Sequence, residues 1–142
     1  MDEYTSRVRA WGLTCPGSPE EVGRARRWTR DVLGDCPCVD DATLIVSELS
    51  TNAVTHTASG NDAGLFHITL ALSERVVAIS VMDAGNSATG PKVEHARAAD
   101  THGRGLALVS VLAENVAVCR NSQGYTVTAE LLMPPRAMRG TR

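Results

Sequence analysis

Three polar residues on one stretch of this chain have the types and spacing for acid–base and cation chemistry. Glu48, Asn52 and His56 follow one another at intervals of four within DATLIVSELSTNAVTHTAS, residues 41–59. That spacing stacks side chains as neighbours along one side of a helix. On the same helical wheel Ala42, Ile45, Val46, Leu49 and Ala53 make an apolar stripe. Thr55 falls with Glu48 and Asn52, His56 lies nearer the apolar edge, and Leu44 falls beside the polar arc. A carboxylate can take a proton from an attacking hydroxyl or water. A carboxamide oxygen can ligate a hard cation such as Mg²⁺, which prefers oxygen donors and keeps several waters. Taken alone, the pair also describes a plain helix surface, so its meaning depends on what else the chain supplies.

Two further signals stand downstream in order. Asp83-Ala84-Gly85 closes an apolar strand, and Gly103-Arg104-Gly105-Leu106 opens a helix after a long loop. Each suits one part of a nucleotide. A buried Asp at a strand end can accept a hydrogen bond from an adenine amino group, and Gly85 leaves room for a base near the backbone. Glycines at a helix start expose N–H groups where the helix dipole favours phosphate. Singly, Asp-x-Gly is a turn and Gly-x-Gly is a loop; the ordered set is the specific signal.

The elements that position these residues follow from patterning. Residues 4–14, with Tyr4, Val8, Trp11 and Leu13, read as a first strand. Ser18-Pro19-Glu20-Glu21 reads as a capping box with Pro at the first helical position. The helix it opens runs to about Gly34, with Val22, Ala25, Trp28, Thr29 and Val32 inward and Arg24, Arg26, Arg27 and Arg30 decorating it. Those arginines read as a solvated face; a docking site for an acidic partner is the sharper alternative. Residues 58–64 form a loop, and 65–72 and 75–82 pair as a hairpin about Ser73-Glu74. His67 reads as a solvent-facing strand residue. Residues 86–102 lack a core pattern, and a loop of that length is usually functional or mobile. After the helix at 106–113, residues 116–120 and 126–133 close the sheet around Asn121-Ser122-Gln123-Gly124.

Composition bounds the classes. A chain of 142 residues with net charge −2 suits one domain and gives no electrostatic case for nucleic acid. A single Phe and two Tyr leave little for base-stacking platforms. No apolar run reaches the roughly 18 residues of a membrane span, and the N-terminus has no apolar signal core, so a cytoplasmic location is expected. Cys36-Pro37-Cys38 has one intervening residue rather than two and no nearby Cys/His pair. With Cys15 and Cys119, the expectation is four reduced thiols and no metal held by them.

The ordered motifs resemble the GHKL ATPase superfamily, which includes gyrase and histidine kinases. More closely, the chain is similar to the small anti-sigma factor serine/threonine kinases of bacteria, particularly actinobacterial ATP-binding regulators. SELSTNAVTH (47–56) resembles their N box, VMDAG (81–85) the first glycine box and HGRGLALV (102–109) the second. The resemblance implies a Bergerat fold, an α/β two-layer sandwich in which a mixed sheet carries helices on one face. It covers about 18–133 of a single domain spanning 1–142, with a basic tail at 134–142.

The same resemblance implies ATP and Mg²⁺ as cofactors. Glu48 would be the catalytic base and Asn52 the Mg²⁺ ligand; His56 ends the N box at the pocket. Asp83 would bind the adenine amino group, with Gly85 beside the base. Gly103, Arg104, Gly105 and Leu106 would lie at the phosphates, and Thr126 of GYTVTAEL near the adenine. Residues 86–102 would be the lid over the phosphates, although Ser87 stands where a second glycine is expected. The implied function is transfer of the γ-phosphoryl group to a serine of an anti-anti-sigma protein, with a sigma factor as second partner and a homodimer as assembly. The alternatives are a non-catalytic binding module shaped by ATP and a slow ATPase without a protein substrate.

Overall fold

A computed structural model describes residues 8–56, 64–83, 103–121 and 124–133, and of residues 56, 103–106 and 121 the backbone only. The elements follow as β1 (Arg9–Pro16), α1 (Glu20–Leu33), α2 (Val39–His56), β2 (Leu65–Leu72), β3 (Val76–Asp83), α3 (Gly103–Leu112), β4 (Asn115–Asn121) and β5 (Gly124–Leu132). The expected loop at 58–64, the expected lid at 86–102 and the basic tail lie largely or wholly outside the described residues.

The strands make one sheet in the order β1-β2-β3-β5-β4, and all four pairings are antiparallel. The α/β two-layer architecture is as expected, but the sheet pairs without the parallel neighbours that a mixed sheet would contain. The reason is topological. β4 runs in the same direction as β3, as a strand–helix–strand crossover allows, but β5 turns back from β4 and inserts between the two.

Helices cover one face. α2 touches α1 and α3, α1 reaches β1, and α3 reaches β4 and β5. The helix layer therefore runs α1, α2, α3 across the sheet, with α2 over the centre, against β2, β3 and β5. Its stripe is as the wheel predicts: Ala42, Ile45 and Val46 are fully buried, Leu49 and Ala53 nearly so, and Leu44 is exposed. The stripe meets the inward residues of the sheet, Phe66, Ile68 and Leu70 on β2 and Val77, Ile79 and Val81 on β3.

Two local readings change. β1 starts at Arg9 and extends to Pro16, with Trp11, Leu13 and Cys15 inward. The capping box does not form: Pro19 is the N-cap and no side chain caps the helix. Glu20 instead takes a hydrogen bond from its own backbone N–H and another from the Ser18 hydroxyl, which hold its carboxyl below the usual range. The first turn is closed by the Ser18 carbonyl, which accepts from Glu21 N–H at 2.9 Å. Pro19 lacks an N–H, so the helix start has one fewer donor to satisfy.

On the uncovered face His67 lies across Gly12, where a Cβ would come within 3.1 Å of its Nε2. Its Nδ1 is 2.7 Å from Thr14 Oγ1.

The stripe yields a direct contrast between adjacent residues. Ile45→Ala should cost about 2–5 kcal/mol, the range for emptying a buried aliphatic site. Leu44→Ala, 39% exposed, should change stability by no more than about 1 kcal/mol. Urea unfolding of both variants reads the difference.

Candidate functional site

Asp83 is the last residue of β3 and is 95% buried. Alternation explains where it points. Val77, Ile79 and Val81 face the helices, and Asp83 continues that parity onto the same face. Its neighbours across the sheet are Phe66 on β2 and Tyr125 on β5. A carboxylate thus ends an otherwise apolar row beneath the helix layer.

Glycine 124 is fitted to this place. It has φ of 158°, and a Cβ there would lie 2.1 Å from the Asp83 carbonyl oxygen and 3.6 Å from Asp83 Oδ1. Only a residue without a side chain lets the start of β5 come so close to Asp83. In the sequence Gly124 stands only as the last residue of a turn, with no signal that links it to Asp83.

The wheel of α2 separates two polar flanks. Ser47 lies 3.5 Å from Arg26 of α1, which places the flank of Thr43, Ser47 and Ser50 towards α1. Glu48 and Asn52 occupy the opposite flank, and both are half-buried. Since α3 packs on that side of α2, the two side chains border the α2–α3 groove.

Helix and strand lengths fix the level of these groups. Cys36 Sγ lies 3.4 Å from Met133 Sδ, and Met133 N–H donates to the Arg75 carbonyl at 2.8 Å. α2 therefore starts at the sheet edge where β3 begins. Its 18 residues span about 27 Å and the 8 of β3 about 26 Å, so α2 delivers its last turns, with Asn52, to the edge where β3 ends at Asp83. After α3, Glu114 N–H donates at 2.7 Å to the carbonyl of Glu130, whose partner on β3 is Ala78. The 10 residues of α3 span about 15 Å, close to the rise from Ala78 to Asp83, so its Gly103 end returns to the level of Asp83. The residues predicted from three separate motifs thus converge on one edge of the sheet.

Thr126 does not join them. Val127, Ala129 and Leu131 face the helices, so Thr126 and Thr128 point to the other side, where Thr128 Oγ1 lies 3.0 Å from Ser80 Oγ. Tyr125, not Thr126, shares the face and the rung of Asp83 and is partly buried against the core. A one-residue offset along a strand reverses the face, so Tyr125 and Thr126 present to opposite sides of the sheet. Gly85 lies outside the described residues. The backbone of His56 ends α2, and Gly103, Arg104, Gly105 and Leu106 form the first turn of α3; nothing of their side chains is described.

Among the described residues no group of three or more His, Cys, Asp or Glu side chains is assembled. A hard cation held by one carboxamide and by phosphate oxygens needs no such group, and Asn52 beside Glu48 supplies that kind of oxygen donor. A buried carboxylate, a helix start carrying two glycines and an oxygen-bearing helix flank thus lie at one edge of the sheet.

Comparison with known proteins agrees. Residues 15–131 match the histidine kinase-like ATPase domain, and the chain belongs to that family. Membership implies ATP binding. Among curated proteins none matches the sequence. Solved structures with the same fold include the RsbU and RsbW domains of Rv1364c from Mycobacterium tuberculosis, with a TM-score of 0.66 at 21% identity, covering 89% of this chain and 33% of that one. The histidine kinase domain of the blue-light activated histidine kinase of Erythrobacter litoralis EL346 has a TM-score of 0.55 at 19% identity, covering 84% of this chain and 61% of that one. The chain thus spans a third to three fifths of these two structures.

Two variants test this edge. Asp83→Asn presents a donor where an acceptor is needed, and adenine nucleotide affinity should fall about 5- to 150-fold, equivalent to about 1–3 kcal/mol. Titration with a fluorescent ATP analogue reads it; unchanged affinity in folded protein would remove Asp83 from the pocket. Gly124→Ala should destabilise the chain by about 1–3 kcal/mol through the clash with Asp83, measured by thermal unfolding.

Proposed function

We propose that the protein is an ATP-dependent serine/threonine kinase of the anti-sigma factor type, acting on a serine of an anti-anti-sigma protein and binding a sigma factor as its second partner. The observation that carries the reading is the pairing of Glu48 with Asn52 one turn apart on the flank of α2 that borders α3. Binding alone does not need a carboxylate beside the place where phosphates would lie. A transferase does, because the attacking hydroxyl must lose its proton.

In this reading Asp83 accepts the adenine amino group at the floor of the pocket, with Tyr125 beside it. The backbone N–H groups at the Gly103 end of α3 face the phosphates, where the helix dipole favours negative charge. Asn52 would hold Mg²⁺ through its carboxamide oxygen, and the bound ion would offset charge on the phosphates. Glu48 orients the serine hydroxyl and holds its proton. The exposed arginines of α1 offer a docking face for an acidic partner; two of them, Arg24 and Arg30, are engaged by Glu21 and Asp40. A homodimer and a cytoplasmic setting complete the proposal, and no helix among the described residues is long and apolar enough to cross a membrane.

Glu48→Ala and Asn52→Ala should give different signatures. Glu48→Ala should leave ATP binding nearly intact and lower phosphoryl transfer by roughly 10²–10⁴-fold. Asn52→Ala should weaken Mg²⁺-dependent binding as well as transfer. The measurement pairs nucleotide affinity, with and without Mg²⁺, with single-turnover transfer to an anti-anti-sigma serine. Equal transfer by wild type and Glu48→Ala would rule out the base. ATP binding with regulation of the partner but no transfer would establish the binding-module alternative.

A further inference from the structure

At the sheet edge opposite Asp83, the sulfur of Cys36 touches two others. Cys36 Sγ is 3.4 Å from Cys38 Sγ and 3.4 Å from Met133 Sδ. Cys36 donates its one S–H to Met133, so in the Cys36–Cys38 contact Cys38 is the donor. Cys38 and Met133 are buried, and Cys36 is partly exposed. The cysteines come from the joint between α1 and α2, while Met133 follows β5, 97 residues from Cys36.

The backbone holds these groups in place before any ligand arrives. Cys36 N–H donates to Leu33 O at 2.9 Å, Val39 N–H to Cys36 O at 3.0 Å and Ala42 N–H to Cys38 O at 2.9 Å. The Arg30–Asp40 ion pair, at 3.0 Å, spans the same joint. Met133 is fixed from the other side by its N–H bond to Arg75.

We propose that Cys36, Cys38 and Met133 form a three-sulfur site for a soft monovalent cation, copper(I), at the α1–α2 joint. The donor set carries the choice of ion. Thiolate and thioether sulfur select copper(I), whereas structural zinc sites take four Cys, His or carboxylate ligands. Among the described residues no third His, Cys, Asp or Glu completes such a set, and the third donor is a methionine. Metal–sulfur bonds of about 2.3 Å in a trigonal plane set sulfurs about 4 Å apart. The two distances from Cys36 Sγ, to Cys38 Sγ and to Met133 Sδ, need to open by only about half an ångström from 3.4 Å. Partly exposed Cys36 gives the ion its entry.

Binding is an acid–base exchange without redox change. Each cysteine loses one proton, two thiolate sulfurs and one neutral thioether sulfur donate lone pairs, and two protons leave per ion bound. The ion must displace these thiol protons as it binds. Occupation would clip the α1–α2 joint to the end of β5, a full strand length from Asp83.

The test is anaerobic titration of the full chain with copper(I) against a copper(I)-specific chelator, with sulfur coordination read by copper X-ray absorption. One copper(I) per chain with three sulfur scatterers is expected, both in wild type and in Cys119→Ser, which removes the exposed thiol. Met133→Leu, which keeps the side-chain shape, should show two sulfur scatterers and an affinity at least about tenfold weaker. Cys36→Ala should lose stoichiometric binding while still binding a fluorescent ATP analogue. Unchanged affinity or scatterer number in Met133→Leu would overturn the proposal, even if the cysteine variant failed to fold. Displacement of copper(I) by equimolar zinc(II) would overturn it as well.

Discussion

The structure depends on the burial of one helical stripe. Ile45, Val46 and Leu49 of α2 are withdrawn from water against Phe66, Ile68, Leu70, Val77, Ile79 and Val81. Each such side chain contributes about 1.5–3 kcal/mol of transfer free energy when fully buried. Fixing that stripe on the sheet fixes the rotation of α2 about its axis. Glu48 and Asn52 then have one place to go, the flank away from α1. The polar pair is aimed by the apolar contact, since neither residue has to be held by a polar partner to face the α3 side.

The same constraint sets the position of Asp83. A strand whose inward residues are spoken for by Phe66-like packing cannot change parity without exposing its whole apolar row. Asp83, in phase with Val77, Ile79 and Val81, is carried to the helix side by that row. The close approach of Gly124 to the Asp83 carbonyl belongs to the same packing, because β5 could not lie this near with any side chain at that position.

α2 also acts as a ruler between the two edges of the sheet. Its first turn is tied to Met133 and Arg75 through the Cys36 contact and the Met133 N–H, and its last turns reach the level of Asp83. The Glu48–Asn52 flank lies towards one edge and the Cys36 sulfur contacts at the other, joined by one rigid element. Their separation is close to the length of β3, which keeps the two sites free of direct contact.

Much was legible in the chain itself, and the reason is periodicity. The stripe of α2, the alternation of β2 and β3 and the outward placing of Leu44 and His67 all follow from local spacing, which tertiary packing had no cause to override. The ordered motifs carried the family for the same reason: their residues lie within short runs. What only the tertiary structure decided involves partners far apart in sequence or offsets of a single residue. The insertion of β5 between β3 and β4 removed the mixed pairing. Register put Tyr125 rather than Thr126 beside Asp83, because one residue along a strand reverses its face. Ser18 donates to the Glu20 carboxylate instead of accepting a backbone N–H as the cap of α1, and both partners lie only a few residues away, so periodicity does not choose between them. The contact of Cys36 with Met133 was not legible either, because that sulfur lies 97 residues away and arrives only when the end of β5 is laid against the start of α2.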